Sequence, residues 1–464
     1  MATTDHHLKD SSSSSPSSVV VVMVPLLAQS HLNHLLQLSH VVSSYNIPVH
    51  YVSSTLHNSQ VKSRSINPLR ELTKIHFHNF PLIRTTPLPP NLCSGIKLSE
   101  TVKLLREPVA ALLRSLSSNV KRLVVVHDVL MTSVVQDFVS LPNAEAYAVN
   151  CGSVFPMFTY AFAAIGQYDI IPIKNIPSVE SCYTHEFYEF IKHEFKQMKS
   201  QVGQLHNSCK AIEGSFLEHV ANYVLKGEKK IWAVGPLHQT TVFKEARDDD
   251  KCLLGWLDKQ EPNSVLYISF GTTTTFSEEK IKEIALGLEQ SGVKFMWVLR
   301  DEDRLDSFSN GYEGELSKLP SGFEERMRGK GMGMVVTKWV CQVEILGHKS
   351  IGGFMSHCGW NSCMESISMG VPIAAWPMEF DQPVNALLLT EVLKVGVAVM
   401  EWGQRDELVT SSMIDRAVRT LMASEEGGEI RKRAEELGAE VRKSTAEGGV
   451  TRMEWHSFIA HITR

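Results

Sequence analysis

Residues 352–370 read GGFMSHCGWNSCMESISMG, and this stretch predicts the fold more clearly than any other part of the 464-residue chain. GGFMSH predicts a buried strand that ends at His357, CGW predicts a tight turn, and NSCMESISMG predicts a short helix. Asn361 is a good N-cap residue for that helix, while Gly370 and Pro372 mark its end. The polar residues therefore lie where a strand ends and a helix begins, which is where open α/β sheets bind ligands.

The turn between this strand and this helix is suited to an anion, because unpaired backbone N–H groups and the helix dipole both favour negative charge there. His357, Asn361 and Ser362 would add side-chain donors. Glu365, one turn further along the helix, could accept hydrogen bonds from the neighbouring hydroxyls of a sugar. The residues alone therefore favour a phosphate-bearing ligand.

A metal or redox site is the competing interpretation of the same stretch. His357, Cys358 and Cys363 have no further ligand group nearby, so we predict no metal and regard both cysteines as packing residues. The eight cysteines of the chain form no Cys-x-x-Cys pair, which argues against a zinc ribbon or a thioredoxin-like motif. Their scatter is typical of a reducing compartment.

The alternation of strands and helices continues on both sides of this stretch. Upstream, Val19–Leu27 is a uniformly apolar, β-branched run typical of a strand covered on both faces, and IPVHYVSS and RLVVVHD resemble it. The second half repeats the pattern in SVLYISFG, KFMWVLR, MGMVVTKW and PIAAWP, and HLNHLLQLSHVVSS and SEEKIKEIALGLEQSG predict helices. This order predicts an α/β protein with two doubly wound, parallel-sheet domains and a cleft between them.

The divisions of the chain follow from composition. The first residues are polar and rich in serine, as disordered tails are, and a charged, weakly periodic segment separates the two halves. The predicted divisions are a disordered tail at 1–18, an N-terminal domain at 19–240, a linker at 241–262, a C-terminal domain at 263–447 and a closing segment at 448–464. Asp301–Pro320 is predicted to be a long loop that could cover a site.

Bulk composition excludes several classes of function. The net charge is −5, so no basic excess indicates nucleic-acid binding, and 43 % apolar residues indicate a globular protein. The nine-residue run Val19–Leu27 is too short to span a membrane and lacks the basic flank and cleavage site of a signal peptide. No Gly-x-Gly-x-x-Gly follows the first strand of either half, so a nicotinamide cofactor is not indicated. We predict a cytoplasmic protein without a membrane span.

A longer segment, Trp339–Gln382, resembles the 44-residue signature of plant UDP-sugar-dependent glycosyltransferases. REPVAALLRSLSSNVKRLVVVHDVLM, WLDKQEPNSVLYISFGTTTT and GGVTRMEWHSFIAHITR are most similar to the zeatin O-glycosyltransferase group of that family. The resemblance covers nearly the whole chain after the polar tail. It implies the GT-B architecture, in which two Rossmann-like domains face a cleft, with acceptor binding at 19–240, UDP-sugar binding at 263–447 and a final helix at 448–464 that returns to the N-terminal domain.

The resemblance also implies a donor site, residue by residue. Trp339 would stack on uracil, as a flat aromatic side chain can, and Val340 would hold the base edge through its backbone. Gln342 and Glu365 would bind the ribose. The residues implied to hold the diphosphate are Thr272, Thr273, His357, Asn361 and Ser362, and those implied to face the transferred sugar are Trp360, Asp381 and Gln382.

The sugar acceptor needs a base, and His31 and Asp128 match the catalytic pair of the family. AQSHLNHLL places His31 just after the first strand, and Asp128 ends the strand VVVHD. A neutral imidazole can remove a proton near neutral pH, and a buried carboxylate sets its tautomer and stabilises the imidazolium. His34 is expected to be a surface or packing residue, and His127 points away from Asp128 in an extended strand.

Departures from the family pattern bear on the acceptor. Ser30 stands where a glycine usually precedes the base, and Val340–Cys341 replaces an Ala-Pro pair, a change that a backbone contact tolerates. Glu379–Phe380 replaces a His-Ser pair that is frequent in the zeatin group, so the resemblance leaves the acceptor open. A flat, apolar acceptor pocket is expected from PLIRTTPLPPNLCSGI and from Phe155, Phe158, Tyr160 and Phe162.

The expected activity is inverting transfer of glucose from UDP-glucose to a hydroxyl of a small aromatic or isoprenoid plant metabolite, either a zeatin-type cytokinin or a flavonoid or other phenol. Glucose is expected because Gln382 closes the signature, although the zeatin-like group includes xylose users. Carbon glycosylation of a phenolic ring and non-catalytic binding of a nucleotide sugar are the alternatives. We expect the UDP-sugar to be a co-substrate, with no other cofactor, no metal and a monomeric protein.

Overall fold

The computed structural model describes residues 18–64, 74–82, 94–238, 248–271, 274–300 and 318–464. Outside these ranges lie nearly all of the predicted tail at 1–18, most of the predicted loop Asp301–Pro320 and the first residues of the predicted linker at 241–262. Thr272, Thr273 and most of the segment PLIRTTPLPPNLCSGI lie outside them as well.

The strands form two sheets. They are β1 (Val19–Val24), β2 (Val49–Ser54), β3 (Ile75–Phe80), β4 (Arg122–Asp128), β5 (Ala144–Asn150), β6 (Gly203–His206), β7 (Lys230–Ala233), β8 (Val265–Ser269), β9 (Lys294–Val298), β10 (Gly333–Val336), β11 (Ile351–Ser356), β12 (Ile373–Ala375) and β13 (Gly396–Ala398). The first sheet has the order β3-β2-β1-β4-β5-β6-β7, and the second has the order β10-β9-β8-β11-β12-β13. All pairs in both sheets are parallel, which confirms the predicted fold class.

Helices connect the strands and cover the sheets. They are α1 (Gln29–Ser44), α2 (Thr55–Arg64), α3 (Ser94–Val102), α4 (Arg106–Ser117), α5 (Thr132–Val135), α6 (Phe155–Ala164), α7 (Val179–Cys182), α8 (His185–Gln197), α9 (Lys210–His219), α10 (Asp248–Leu257), α11 (Glu278–Ser291), α12 (Phe323–Gly329), α13 (Gln342–Leu346), α14 (Trp360–Met369), α15 (Gln382–Leu387), α16 (Ser411–Ala423), α17 (Glu425–Thr445) and α18 (Val450–Ile462). No helix in the described ranges is long and apolar enough to cross a membrane.

The segment predicted as a linker contains the helix α10. The helix begins with acidic residues, but its C-terminal half is apolar and packs into the core of the molecule through Leu253, Leu254 and Leu257. Charge and proline content therefore indicated a boundary between the halves but concealed a helix at that boundary.

Alternate residues of each central strand face different cores, as a period of two requires. Val21 and Met23 of β1 pack into one apolar cluster, whereas Val20 and Val22 pack into another. Tyr267 and Ile268 of β8 likewise pack into two different apolar clusters. Both faces of each sheet are therefore covered, and this explains why the central strands are mostly apolar.

The last helix, α18, packs on the first sheet. The ring of Phe458 lies edge-on to Tyr147 of β5 and to Trp232 of β7, with centroids 5.5 and 5.3 Å away. Nε1 of Trp232 donates to Oγ of Ser457 at 3.2 Å. These contacts tie the end of the chain to its first half.

Each sheet has a point at which the order of its strands reverses, between β1 and β4 in the first and between β8 and β11 in the second. Crevices at the carboxyl ends of such strands are the usual ligand sites of doubly wound sheets. The two halves also share one apolar cluster, which contains Phe155 and Phe216 from the first half and Phe354 and Trp360 from the second. The two switch points therefore belong to halves that are packed against each other.

Candidate active site

The first switch point brings His31 and Asp128 together. β1 ends at Val24 and α1 begins at Gln29, so His31 lies in the first turn of that helix, while Asp128 is the last residue of the neighbouring strand β4. Nδ1 of His31 lies 2.6 Å from Oδ2 of Asp128, although the two residues are 97 positions apart. The structure thus places the two predicted catalytic residues in one hydrogen-bonded pair.

Burial sets the electrostatics of this pair. The Asp128 side chain is 0 % exposed, whereas the His31 side chain keeps 24 % of its surface in contact with solvent. Burial by itself lowers the pKa of His31, but the attraction and hydrogen bond of Asp128 outweigh it and leave that pKa raised. Burial acts to raise the pKa of Asp128, yet the pairing with His31 holds it below its usual range. The carboxylate accepts from Nδ1–H, so the lone pair of Nε2 can take a proton from another group.

Two further groups hold the Asp128 carboxylate. The backbone N–H of Leu130 donates to Oδ1 at 2.9 Å, and the thiol of Cys151 also forms a hydrogen bond with the carboxylate. Burial raises the pKa of this thiol well above its usual value, and the charge and hydrogen bond of Asp128 add to the effect. His31, Asp128 and Cys151 thereby place ligand-type atoms within 4.8 Å of one another. In the structure these three side chains form a chain of hydrogen bonds, in which His31 and Cys151 both bond to the Asp128 carboxylate.

His127, the neighbour of Asp128, makes its own contacts and does not join the pair. Its Nδ1 lies 2.7 Å from the backbone oxygen of Asp128, and its Nε2 lies 2.7 Å from Nε2 of Gln201. Burial lowers the pKa of His127 to about 4. The neutral ring therefore donates from Nδ1 and accepts at Nε2, with no atom directed at the carboxylate.

The second switch point gathers polar side chains from two helices. Nε2 of Gln342, at the start of α13, lies 2.7 Å from Oε2 of Glu365 and 3.0 Å from Oγ of Ser362 in α14. Nδ2 of Asn361 donates to the other carboxylate oxygen, Oε1, at 2.9 Å. These residues, Gln342, Asn361, Ser362 and Glu365, are called the polar cluster below, and the structure brings all of them together.

Glu365 is the titratable member of the polar cluster. Its surface is 7 % exposed, and burial raises its pKa to about 7 although hydrogen bonds from Gln342 and Asn361 favour the ionised form. Near neutral pH this carboxyl therefore exists in both states. Since only the carboxylate accepts at both oxygens, pH sets how well the cluster can bind hydroxyl groups.

The helix α14 begins earlier than predicted. Its N-cap is Gly359, and Asn361 is its second residue. The prediction that Asn361 caps the helix is wrong because its side-chain amide is engaged elsewhere, with Glu365 and with His34. Gly370 ends the helix in the left-handed conformation at φ 76°, which confirms the predicted end.

The expectation for His34 was a surface or packing residue; the surface alternative is wrong, and the buried side chain also makes a polar contact that was not expected. It is 1 % exposed, and its Nε2 lies 2.7 Å from Oδ1 of Asn361, which is 327 positions away. The apolar spacing of α1 shows that one face of the helix is buried, but it does not show what a polar residue on that face meets.

His357 lies beyond the end of β11, in the turn that leads into α14. A Cβ on Gly271 would come within 2.7 Å of its Nε2, and one on Gly359 within 2.5 Å, so both positions need glycine for the ring to fit. Cys358 adopts φ 64°, a strained conformation for a residue with a side chain and one often found at ligand sites. Burial lowers the pKa of His357 to about 4, so its ring is neutral.

Arg300 is a candidate that the sequence analysis missed. Its surface is 8 % exposed, and its Nη2 donates to the backbone oxygen of Gly271 at 2.6 Å. A buried guanidinium thus lies beside Gly271, and such a group favours phosphate. An arginine at the end of the apolar strand KFMWVLR is the signal that could have revealed it.

Asp381 and Gln382 stand at the start of α15. Oε1 of Gln382 accepts from the N–H groups of Met378 and Glu379 at 2.8 and 3.1 Å, so this side chain can offer a ligand only its amide N–H groups. Burial raises the pKa of Asp381, and Nδ2 of Asn385 donates to its Oδ2 at 2.9 Å. The pair thus presents a carboxyl group and an amide donor side by side.

Asp381 lies close to the catalytic pair, although it belongs to the other half of the chain. A Cβ on Gly152 of the first half would lie 3.6 Å from Oδ2 of Asp381. The charge of Asp381 adds to that of Asp128 in raising the pKa of His31. The imidazole and this carboxyl, from different halves of the chain, are therefore close enough to interact electrostatically.

The tryptophans of the signature differ in their surroundings. Trp339 is half-buried after β10, and Val340 beside it is buried. Trp360 is buried, and its Nε1 donates to the backbone oxygen of Asn207 at 2.7 Å, so a sugar could meet only its ring or backbone.

Cys341 stands where the family usually has a proline. It has φ −77°, which lies within the range that a proline ring imposes, so the backbone at this position is compatible with either residue.

The prediction that Phe155, Phe158 and Phe162 line an acceptor pocket is wrong. These residues are at most 1 % exposed, and Phe216 packs against the first two with ring centroids 4.8 and 4.9 Å away. Their spacing puts them on the inner face of α6. Tyr160, on a different face, remains partly exposed.

A different aromatic group lies next to Asp381. The ring of Phe380 from the second half lies 5.2 Å from Phe187 and 6.1 Å from Tyr183 of the first half. Its backbone N–H donates to the oxygen of Cys182 at 2.9 Å, and it adopts φ 59°. Tyr183, Phe187 and Phe380 are called the aromatic wall below.

Two doubly wound parallel sheets that face each other, one with a histidine–aspartate pair and one with a polar cluster at its switch point, define a glycosyltransferase of the GT-B class. Residues 17–239 match the family described as "Glycosyltransferase, N-terminal domain", and residues 244–426 match "UDP-glucoronosyl and UDP-glucosyl transferase". The chain belongs to this UDP-glycosyltransferase family and is a UDP-glycosyltransferase.

Individual relatives agree with this membership. The chain is 46 % identical to "Zeatin O-glucosyltransferase" of Phaseolus lunatus over 95 % of its length and 96 % of that protein. It is also 46 % identical to "Zeatin O-xylosyltransferase" of Phaseolus vulgaris over 95 % of its length and 97 % of that protein. A UGT transferase from Siraitia grosvenorii, solved in complex with UDP, superposes with a TM-score of 0.78 at 26 % identity, over 96 % of this chain and all of the other.

Proposed function

We propose that this protein is an inverting enzyme that transfers glucose from UDP-glucose to the side-chain hydroxyl of a zeatin-type cytokinin. The observation that carries the proposal is the His31–Asp128 pair, 2.6 Å apart, with its carboxylate buried and its imidazole within the electrostatic reach of Asp381 from the other half. The 46 % identity to a zeatin O-glucosyltransferase and to a zeatin O-xylosyltransferase supports the acceptor class. We further propose that the enzyme works as a monomer in the cytoplasm and needs no metal or other cofactor.

The proposed reaction is a single displacement. Nε2 of His31 removes the proton of the acceptor hydroxyl, and the oxygen attacks the anomeric carbon from the side opposite to UDP. The bond between that carbon and the phosphate oxygen breaks, and the electron pair leaves with UDP. Asp128 stabilises the imidazolium that forms on His31. Because attack and departure occur on opposite faces, the configuration at the anomeric carbon inverts.

The polar cluster supports the proposed donor site. Glu365 and Gln342 would accept and donate hydrogen bonds to the ribose, Trp339 would stack on uracil, and Val340 would bind the base edge through its backbone. The diphosphate would meet the N-terminal turn of α14, which supplies N–H groups and a favourable dipole. The remaining groups proposed for the diphosphate and the sugar are Thr272, Thr273, Arg300, His357, Asn361, Ser362, Trp360, Asp381 and Gln382.

The raised pKa of Glu365 predicts that donor affinity depends on pH. If the carboxylate accepts from ribose, affinity is full above the pKa of about 7 and falls as the pH drops below it. UDP-glucose is therefore expected to bind about tenfold more weakly at pH 6 than at pH 8, as measured by calorimetry without acceptor. The sugar diphosphate itself does not titrate in this range, and Glu365→Gln should bind with an affinity that no longer changes with pH. If the affinity of Glu365→Gln still fell at low pH as it does in the wild type, the titration would belong to another group.

The donor is expected to be UDP-glucose rather than UDP-xylose or UDP-galactose. The amide N–H groups of Gln382 and the carboxyl of Asp381 can bind adjacent hydroxyls of a hexose, and Gln382→Ala should reduce the preference for glucose. The measurement is a competition among the three donors at equal concentration, with products separated by mass and chromatography. Faster transfer from UDP-xylose or UDP-galactose would refute the donor assignment.

A phenolic acceptor is the second candidate, and the aromatic wall favours it. Tyr183 and Phe380 are partly exposed beside Asp381 and pack on the buried Phe187, and Phe380 stands where a serine is frequent in the zeatin group. Flat rings pack well against such faces. The test is an acceptor panel of trans-zeatin, cis-zeatin and several flavonoids with UDP-glucose and EDTA, read as UDP release and product linkage. A phenol with a higher kcat/KM than either zeatin isomer would replace the cytokinin as the proposed acceptor.

A further inference from the structure

His34 is a histidine of the first half of the chain that reaches the polar cluster of the second half. It is 1 % exposed, and its Nε2 lies 2.7 Å from Oδ1 of Asn361. His31, three residues earlier on α1, pairs with Asp128. A single helix therefore carries both the proposed base and a side chain bound to the proposed donor site.

The chemistry of the neighbouring groups decides which atom donates in this contact. Burial lowers the pKa of His34 to about 4, so its ring is neutral and carries one proton. Nδ2 of Asn361 faces the carboxylate of Glu365 at 2.9 Å, which requires Oδ1 of Asn361 to face His34 and accept. Nε2 of His34 is therefore the protonated nitrogen and the donor. Nδ2 of Asn207 lies 3.3 Å from the same nitrogen, and since both atoms then carry protons, this approach is not a hydrogen bond.

The bond continues into a short chain of hydrogen bonds. His34 donates to Asn361, Asn361 donates to Oε1 of Glu365, and Gln342 donates to Oε2 of Glu365, each at less than 3 Å. Rotation of the Asn361 amide would break two of these bonds together. The orientation of Glu365, the proposed ribose ligand, thus depends on a residue outside its own domain.

A second contact holds the same turn of α14. Nε1 of Trp360 donates to the backbone oxygen of Asn207 at 2.7 Å, and the N–H of Leu237 donates to Oδ1 of Asn207 at 2.8 Å. The first two residues of α14, Trp360 and Asn361, are therefore both tied to the first half of the chain. The Trp360 bond is made by its indole side chain, and the side chain of Asn361 makes its own contact with His34.

We propose that His34 is a positioning residue that holds Asn361 and Glu365 in the orientation needed to bind UDP-sugar, and thereby sets the donor against the base on the same helix. This inference rests on the donor site of the proposed function. It assigns His34 no contact with either substrate. Its loss should therefore weaken donor binding and leave acceptor recognition unchanged.

The test is calorimetric titration of the full-length protein with UDP, together with the KM of the acceptor at saturating donor. His34→Leu and His34→Asn remove the donor to Asn361, since the asparagine amide is too short to reach it, and should raise the Kd of UDP about 5- to 20-fold. His34→Gln keeps an amide N–H at nearly the same reach and should stay within about 3-fold of the wild type. The acceptor KM should change by less than about 2-fold in all three. If His34→Leu does not fold, the comparison of His34→Gln with His34→Asn still decides the question.

His50→Leu is the matched control. His50 is a partly buried histidine of β2 whose Nδ1 lies 2.8 Å from Nε2 of His78, away from the polar cluster, and its replacement should leave the Kd of UDP unchanged. A rise in Kd equal to that of His34→Leu would show that the loss of any such histidine weakens binding, and the inference would be wrong.

A double-mutant cycle distinguishes the role of His34 from that of the donor site itself. If His34 acts through Asn361, His34→Leu should add almost nothing to the loss caused by Asn361→Ala. If Asn361→Ala weakens UDP binding while His34→Leu and His34→Asn do not, the inference fails and the donor site stands. If neither Asn361→Ala nor Glu365→Gln changes UDP binding, the proposed donor site itself is wrong, and the inference falls with it.

Discussion

His31→Ala is expected to reduce transfer to the aliphatic hydroxyl of zeatin by about 10²–10⁴-fold, the usual cost of removing a positioned general base. An aliphatic alcohol is far too weak an acid to ionise first, so its proton must leave as the new bond forms. A phenol has a pKa of about 10, and a nitrophenol is more acidic still. The same substitution should therefore leave measurable turnover with a nitrophenol. The measurement compares initial rates with both acceptors at saturating UDP-glucose.

The partner variant sharpens this prediction. Asp128→Asn keeps the imidazole but removes the charge that raises the pKa of His31, so the loss should be smaller than in His31→Ala and follow the same order of acceptors. Because the base must be neutral, the wild-type rate should fall as the pH drops through the raised pKa of His31. In Asp128→Asn that fall should move to lower pH. Equal losses for alcohol and nitrophenol would mean that His31 positions the acceptor without deprotonating it.

Trp339→Ala is expected to raise the KM of the UDP-sugar by about 5- to 150-fold, since stacking of a base on an aromatic ring contributes about 1–3 kcal/mol. The KM of the acceptor should change much less, because His31, the proposed base for the acceptor, lies in the other half of the chain. Trp339 is half-buried, so one part of its ring system is accessible to a ligand. Calorimetry with UDP gives the same comparison without turnover.

Trp339→Phe is the matched control for this substitution. It keeps a smaller flat ring and should lose less affinity than Trp339→Ala, whereas a purely structural role would show itself as a lower Tm in both variants. An unchanged donor affinity in Trp339→Ala would remove this residue from the uracil site.

The parts of the fold that were predictable are those encoded by local pattern. Val19–Leu27 is apolar at every position and RLVVVHD is apolar from Leu123 to Val126, and they form the strands β1 and β4, which are covered on both faces. Ser277 and Gly292 flank a helix with acidic residues in its first turn, and they are the observed N-cap and C-cap of α11. Such signals need only neighbours in sequence, so one chain suffices to read them.

Contacts between distant residues could not be predicted in this way. Spacing does not show that His31 meets Asp128 or that His34 meets Asn361, because strand order and domain packing decide both. The first pair was expected only through the family resemblance, and the second contact was missed. Phe155, Phe158 and Phe162 were misassigned for a related reason: an aromatic run is equally consistent with a pocket or a core until its helical face is known.

The measurement that tests the central claim most directly is NMR analysis of the product formed from trans-zeatin and UDP-glucose by the purified protein in the presence of EDTA. The account predicts a single glucoside, joined through the side-chain oxygen and carrying the β configuration, since UDP-glucose is the α anomer and the displacement inverts it. The same product should be absent with His31→Ala under identical conditions. An α-linked product, a carbon-linked sugar, or an undiminished yield with His31→Ala would contradict the account.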